Sequence, residues 1–382
     1  MRRSAVLALG VLCLLTFAFV PVRAEDLGAG ALDVAAPSAV LMERSTGQLL
    51  YEKNPLEHLP PASVTKVMTM LLVAEAVDAG QTSLDEPVTA SAAAAGMGGS
   101  QIWLEEGEQM TVGEMLKCVA VVSANDCCVA LAEHLAGSEA AFVERMNRRA
   151  AELGMENTHF LCCSGLSDSD EHYSCARDIA VMSRELLGHA LIRQYTGIWM
   201  DTIRDGAFTL SNTNKLIYYY PGATGLKTGF TSRAMYCLAA SAERDGVEYI
   251  AVVLHAPSSS ERFDSARALL NYGFASYTLL SPEGQAAIPP VAVRMGRTDS
   301  VQPVLAENAG VLAPRQKAGA VRWEAALPST VSAPVEAGQV LGSLTAWSGE
   351  DRLCTLPLIA PEAIPRQSLW EIYTDLLRHL TA

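Results

Sequence analysis

The chain is short of positive charge. Its 382 residues include 28 Lys and Arg against 42 Asp and Glu, a formal charge of −14. Residues 1–24 hold Arg2, Arg3 and Arg23 and no acid, so without them the charge would be three units lower, at −17. Such a chain has no general attraction for phosphate backbones, which argues against a nucleic-acid partner. Metal-ligand spacing is missing as well. The seven histidines are scattered, and there is neither a His-Glu-x-x-His nor a Cys-x-x-Cys pair, so no metal or other cofactor is expected. Charged residues are only 18% of the chain and hydrophobic ones 50%, which reads as globular rather than disordered. The length suits one large domain and a smaller one, each with its own core.

What is present begins with an export signal. Arg2-Arg3 precede the uncharged, mostly apolar run Ser4 to Val20, and Val22-Arg23-Ala24 fits a small-x-small cleavage site. The competing reading is a membrane anchor, for which the run is marginal in length. Cys13 follows Leu12 deep in this run and is not placed like a lipoprotein cysteine. Eight cysteines remain beyond residue 24. Five of them, Cys118, Cys127, Cys128, Cys237 and Cys354, lie in apolar stretches, so reduced, buried thiols are expected rather than disulfide staples.

Along the chain, Ser38–Arg44 and Gln48–Lys53 flank Ser45-Thr46-Gly47 as a hairpin. Helical patterns follow over Ser63–Gly80, over Val112–Ala136 with a break at Ser123-Ala124-Asn125, over Glu139–Gly154 and over Ala176–His189. Ala234–Ser241 and Val247–Leu254 read as a second hairpin across Arg244-Asp245-Gly246, and Phe263–Tyr272 as helix. Strands at both ends of a helical block predict an α+β domain whose terminal strands share one antiparallel sheet. After Ser281 short alternating runs with Pro and Gly predict a small all-β domain, and Arg366–Ala382 an amphipathic helix. The expected boundaries are residues 1–24 for the signal, 25–281 and 282–362 for the two domains, and 363–382 for the closing helix. That helix either packs on its own domain or lies on a membrane surface.

Three short motifs carry chemistry. Ser63 and Lys66 stand one turn apart at the start of a helix opened by Pro60-Pro61, among the apolar Val64, Val67 and Met68. A helix N-terminus favours negative charge, and an ammonium in apolar surroundings loses its proton more readily. The blander reading is a capped helix with a surface lysine. Ser123-Ala124-Asn125 interrupts an apolar run with polar groups that need partners, or is a mere helix break. Thr224–Thr231 places Lys227 and Thr228 before Gly229 on a strand, or is an edge with a glycine bulge.

In that order, Ser-x-x-Lys, Ser-x-Asn and Lys-Thr-Gly resemble the motif set of penicillin-binding proteins and class A β-lactamases. The sequence resembles, in particular, the low-molecular-mass penicillin-binding proteins that are serine-type D-alanyl-D-alanine carboxypeptidases. Met146-Asn147, Leu153-Gly154-Met155, Asn157–Phe160, Gly165-Leu166, His172-Tyr173, Asp178, Asn212-Thr213-Asn214 and Gly273-Phe274 also match. The resemblance implies a β-lactamase/transpeptidase-like fold and a cell-envelope enzyme. It would act on peptidoglycan stem peptides, be inhibited by β-lactams, and touch the membrane through its closing helix. It implies Ser63 as nucleophile, Lys66 as general base and Ser123 as proton relay. Asn125 would hold the substrate amide, Lys227 would supply positive potential near Ser123, and Thr228 and Arg262 would bind the terminal carboxylate. The backbone N–H groups of Ser63 and Phe230 would form the oxyanion hole. Departures are Cys162, where the family often has Asn, and Met235, where it often has Gly. The class A Glu-x-x-Leu-Asn stretch is absent, which disfavours a β-lactamase. The same motifs would also serve a D,D-endopeptidase or a non-catalytic penicillin-binding sensor.

Overall fold

The structure is a computed structural model. It describes residues 32, 34–282, 286–306, 310–319 and 321–380, with side chains to residue 374. The expected signal segment 1–24 lies outside the described residues.

The centre of the fold is a five-stranded sheet of β1 (Ser38–Glu43), β2 (Leu49–Lys53), β3 (Ala223–Thr231), β4 (Met235–Arg244) and β5 (Val247–Ala256), in the order β2-β1-β5-β4-β3. Every neighbouring pair is antiparallel. The expected union of first and last strands is thus realised, because β1 pairs with β5 from Ser38↔Leu254 to Glu43↔Tyr249. β5 is an almost unbroken apolar run, and a strand of that composition must be covered on both faces. Successive side chains point to opposite sides. Ile250, Val252 and Leu254 join the main core with the helical block. Tyr249 points the other way, onto Gly273 of the helix α6 (Ser259–Ser276).

The helical block consists of α1 (Lys66–Asp78), α2 (Val112–Val121), α3 (Asn125–Ala136), α4 (Glu139–Glu152) and α5 (Ala176–Leu186). α1 lies at its centre. Its buried positions run all round the helix, from Lys66 through Leu71 and on to Val73, Ala74 and Ala76. A helix apolar on every side belongs inside a core. α2 starts on a reciprocal cap between Thr111 and Glu114. The tract Val112–Ala136 breaks where its sequence turns polar. Ser123 sits in the left-handed region at φ 67, and the chain restarts as α3 at Asn125, whose N–H donates to the Ser100 carbonyl at 2.7 Å.

Beyond α6 the chain is mostly β. A four-stranded sheet contains Val321–Ala326, Val340–Ser348 and Asp351–Ile359 with the short strand Val304–Leu305 at its edge. A three-stranded sheet packs Val291, Val293 and Val301 into a separate apolar cluster with Val335, Leu341 and Ile364. Tyr277–Leu280, just before the expected boundary at 281, pairs with Val311–Pro314 of this β-rich part. The closing helix spans Leu369–Leu380, and its Leu369 is 87% and its Trp370 71% exposed. No helix among the described residues is long and apolar enough to cross a membrane.

Candidate active site

The chain enters α1 through a 3-10 turn, Ala62–Thr65, that no side chain caps. The first N–H groups of a helix have no partner within it, so such an entry offers donors to whatever lies in front. Ser63 stands half-buried on this turn. Lys66, one turn on, is 0% exposed. Its Nζ donates to Ser63 Oγ at 2.9 Å, to Asn125 Oδ1 at 2.6 Å and to the Ser164 carbonyl at 2.6 Å. Burial lowers the Lys66 pKa below its usual value, and the surrounding thiols and Asp126 oppose that shift only in part. An amine with a lowered pKa, bonded to a hydroxyl, can take the hydroxyl proton. The blander reading, a surface lysine beside a helix cap, does not hold.

The break between α2 and α3 delivers the second motif to the same place. Asn125 accepts from Lys66 through Oδ1 and donates through Nδ2 to the Gly98 carbonyl at 2.7 Å. Ser123 is 4% exposed, and its Oγ has no hydrogen-bond partner among the described residues. Buried hydroxyls almost always have partners, so Ser123 Oγ is an exception.

β3 brings the third motif. Lys227 is 0% exposed and donates to the Thr228 carbonyl at 3.0 Å. Burial first, and then the charge of Lys66, push its pKa well below the usual lysine value. Thr228 Oγ1 donates to Thr213 Oγ1 at 2.6 Å. Gly229 lies over the entry of α1. A Cβ there would meet the Pro61 carbonyl oxygen at 2.7 Å and the nitrogens of Ser63 and Val64 at 3.1 Å each. Glycine therefore lets the strand close onto the turn that carries Ser63, and Phe230 follows it along the strand.

Asn125 at the helix break meets the serine–lysine pair through Lys66, and the lysine strand closes onto the turn that carries Ser63. The profile of D-alanyl-D-alanine carboxypeptidases matches residues 25–258, and that of the penicillin-binding protein 5 C-terminal domain matches residues 277–366. The chain belongs to the D-alanyl-D-alanine carboxypeptidase family. It is accordingly a serine peptidase with the penicillin-binding-protein fold. It is 42% identical over 369 residues to the D-alanyl-D-alanine carboxypeptidase DacF of Bacillus subtilis, covering 94% of each chain. Among solved structures it is similar to penicillin binding protein 5 from Haemophilus influenzae, with a TM-score of 0.78 and 29% identity over 87% of this chain and 98% of that one. Penicillin-Binding Protein D2 from Listeria monocytogenes, solved in an ampicillin-bound form, is 33% identical with a TM-score of 0.58, over 63% of this chain and 98% of that one.

Within this carboxypeptidase fold Arg262 reaches the lysine strand from the first turn of α6. Its Nη1 donates to the Gly229 carbonyl at 3.2 Å and the Cys237 carbonyl at 3.3 Å. The guanidinium lies over Phe263 at 4.5 Å and Tyr236 at 5.5 Å, and its Nε has no partner among the described residues. Burial pushes its pKa down to about 10. Its contacts are carbonyls, a hydroxyl and rings rather than a carboxylate at the helix start. Met235 stands at φ 53, a left-handed conformation that suits the family's glycine, and Cys162 is half-buried. All eight cysteines beyond residue 24 are unpaired, and all but Cys162 and Cys354 are buried.

Several groups that shape the site had no assigned role at the level of sequence. The segment 162–165 packs against the turn and helix start that carry Ser63 and Lys66. Besides the Ser164 carbonyl on Lys66, the Cys163 carbonyl accepts from Thr69 Oγ1 at 2.6 Å. Gly165, at φ +77, lies so close to Ala62 that a Cβ would fall 1.9 Å from its carbonyl oxygen. His172 is buried behind this turn. Its Nδ1 accepts from the Leu161 N–H at 2.9 Å, so Nε2 carries the proton and donates to Thr65 Oγ1 at 2.9 Å. Burial pulls the His172 pKa down to about 4. Gly165 and His172 matched the family pattern, but backbone carbonyls leave no mark on side-chain identity.

Glu75, Glu185 and His189 form a cluster with metal-ligand character, their donor atoms within 4.8 Å of one another. Arg149 already bridges the two carboxylates at 2.8 and 2.7 Å.

Proposed function

We propose that this carboxypeptidase removes the terminal D-alanine from peptidoglycan stem pentapeptides through an acyl-enzyme on Ser63. The Ser63 Oγ proton passes to a neutral Lys66 Nζ as Oγ bonds to the carbonyl carbon of the penultimate D-alanine. Charge gathering on the carbonyl oxygen meets the backbone N–H groups of Ser63 and Phe230, a pair aimed where the negative charge develops. The C–N bond then breaks, and the departing D-alanine nitrogen takes a proton relayed by Ser123. Water hydrolyses the ester, which releases the shortened peptide and restores Ser63.

Asn125 holds the peptide amide, exchanging its bonds to Lys66 and Gly98 for the substrate. Lys227, Thr228 and Arg262 supply the positive potential and hydroxyl that select a free carboxylate. The observation that carries the reading is the 2.9 Å bond from a fully buried Lys66 to Ser63 Oγ. A β-lactam offers the same carbonyl beside a carboxylate and so acylates the same serine. Export fits the sequence of residues 1–24, and the exposed Leu369 and Trp370 suit a helix lying on a membrane surface.

The test is D-alanine release from diacetyl-L-lysyl-D-alanyl-D-alanine by the purified chain, run beside acylation by a fluorescent penicillin. Release that disappears in Ser63→Ala supports the proposal. Penicillin acylation without release would leave a binder, and rapid turnover of the penicillin would leave a β-lactamase.

A further inference from the structure

Trp103 is 64% exposed, yet its backbone is in the left-handed region at φ 55. A bulky residue persists in that conformation only when its surroundings over-determine it, and such strain collects at functional sites. The surroundings do so here. The buried carboxylate of Asp126 accepts from the N–H groups on either side, Ile102 at 3.0 Å and Leu104 at 3.2 Å. Arg204, itself at φ 54, donates to the Ile102 carbonyl at 2.9 Å and the Trp103 carbonyl at 3.3 Å, and pairs with Glu108 at 2.8 Å. The ring is also fixed. Phe208 meets it edge-on at 5.8 Å, and the Gln101 amide, turned to satisfy its own donor, accepts from Trp103 Nε1 at 3.2 Å.

The loop is tied to the active site. The loop that carries Trp103 begins at Gly98, whose carbonyl accepts from Asn125 Nδ2, and passes Ser100, whose carbonyl accepts from Asn125 N. Trp103 is three positions on from Ser100, at most about 11 Å of chain. The antiparallel strands Met200–Ile203 and Phe208–Ser211, with Arg204 in the turn between them, run on to Thr213, the partner of Thr228. Trp103 is therefore strung between two segments that each end in the cleft. Its N–H is already used, so the ring offers only an apolar face.

We propose that Trp103 is a specificity-determining residue, a fixed platform for the C–H-rich part of the substrate upstream of the D-alanine pair. This rests on the carboxypeptidase reading above. Two parts of the substrate beyond the residue next to the D-alanine pair present that chemistry, the remainder of the stem peptide and the sugar ring to which the stem is joined. The test measures kcat/KM of the full chain and of Trp103→Ala and Trp103→Phe on three substrates. These are diacetyl-L-lysyl-D-alanyl-D-alanine, a free pentapeptide and a disaccharide-linked pentapeptide.

Trp103→Ala should lose about tenfold on one or both of the longer substrates, mainly through KM. Cleavage of the minimal substrate and acylation by penicillin should stay within twofold, and Trp103→Phe should recover most of the loss. Loss on both long substrates assigns the contact to the peptide, and loss on the disaccharide form alone assigns it to the sugar. An equal loss on all three substrates, or no loss on any, overturns the proposal. A wild-type chain that releases D-alanine from none of them overturns the carboxypeptidase reading and this one with it.

Discussion

Gly229→Ala probes the contact on which the proposed oxyanion hole depends. The added Cβ would lie 2.7 Å from the Pro61 carbonyl oxygen and 3.1 Å from the nitrogens of Ser63 and Val64. All three are backbone atoms of the turn that carries the nucleophile, so no flexible side chain can swing away. Ordinary contact for a Cβ begins near 3.4 Å, so strand and turn must part by about 0.7 Å. That movement carries the Phe230 N–H away from Ser63. Loss of one oxyanion donor costs about 10²–10³ in rate, and a displacement near 1 Å about 10². Acylation by a fluorescent penicillin should therefore slow by roughly 30- to 100-fold, about 2–3 kcal/mol in the barrier. Overpacking should lower stability by about 1–3 kcal/mol, which the thermal midpoint reads separately. Gly319→Ala is the control, since its Cβ would meet nothing within 4 Å. Acylation within threefold of wild type in folded Gly229→Ala would refute the reasoning, because the strand would then not be positioning the hole.

Lys66→Arg keeps a cation and a donor but cannot give up its proton at working pH, so acylation of Ser63 should fall by more than about 10³-fold in the penicillin assay. In the wild type the acylation rate should rise with pH through the lowered Lys66 pKa and level off below the usual lysine value, because burial favours the neutral base. His172 makes stability pH-dependent. Its folded pKa of about 4 lies below the ordinary 6.5, so the unfolded chain binds the proton first as the pH falls. Its contribution is intact above pH 6.5 and is lost between 6.5 and 4, by about 3 kcal/mol, a slope that denaturant titrations should find flattened in His172→Gln. Replacing Leu369 and Trp370 by serine should reduce co-sedimentation with anionic vesicles and leave D-alanine release unchanged, since both side chains are exposed on the closing helix.

Local residue patterns were enough to locate the elements and to order their chemistry. Period-2 and helical patterns are local, and the two hairpins, the helical tracts and the break at Ser123 appear where those patterns place them, except that the helix expected over Phe263–Tyr272 extends to Ser259–Ser276. Ser63 and Lys66 had to share a helix face because one helical turn separates them. Tertiary structure decided what those residues do together. Asn125 is 59 positions from Lys66, and Gly229 is 166 from Ser63; no local pattern says that they meet. The Ser164 and Gly98 carbonyls are contributed by backbone, which any residue carries. Arg262 lies at the start of α6 in sequence, and only the packing of that helix on the sheet turns it onto Gly229 instead of a nearby carboxylate. Nothing local in the sequence marks Trp103. Its strained backbone and exposed ring became visible only once Asp126 and Arg204 were seen to hold them, because conformation at a single residue is set by partners that the chain brings in from elsewhere.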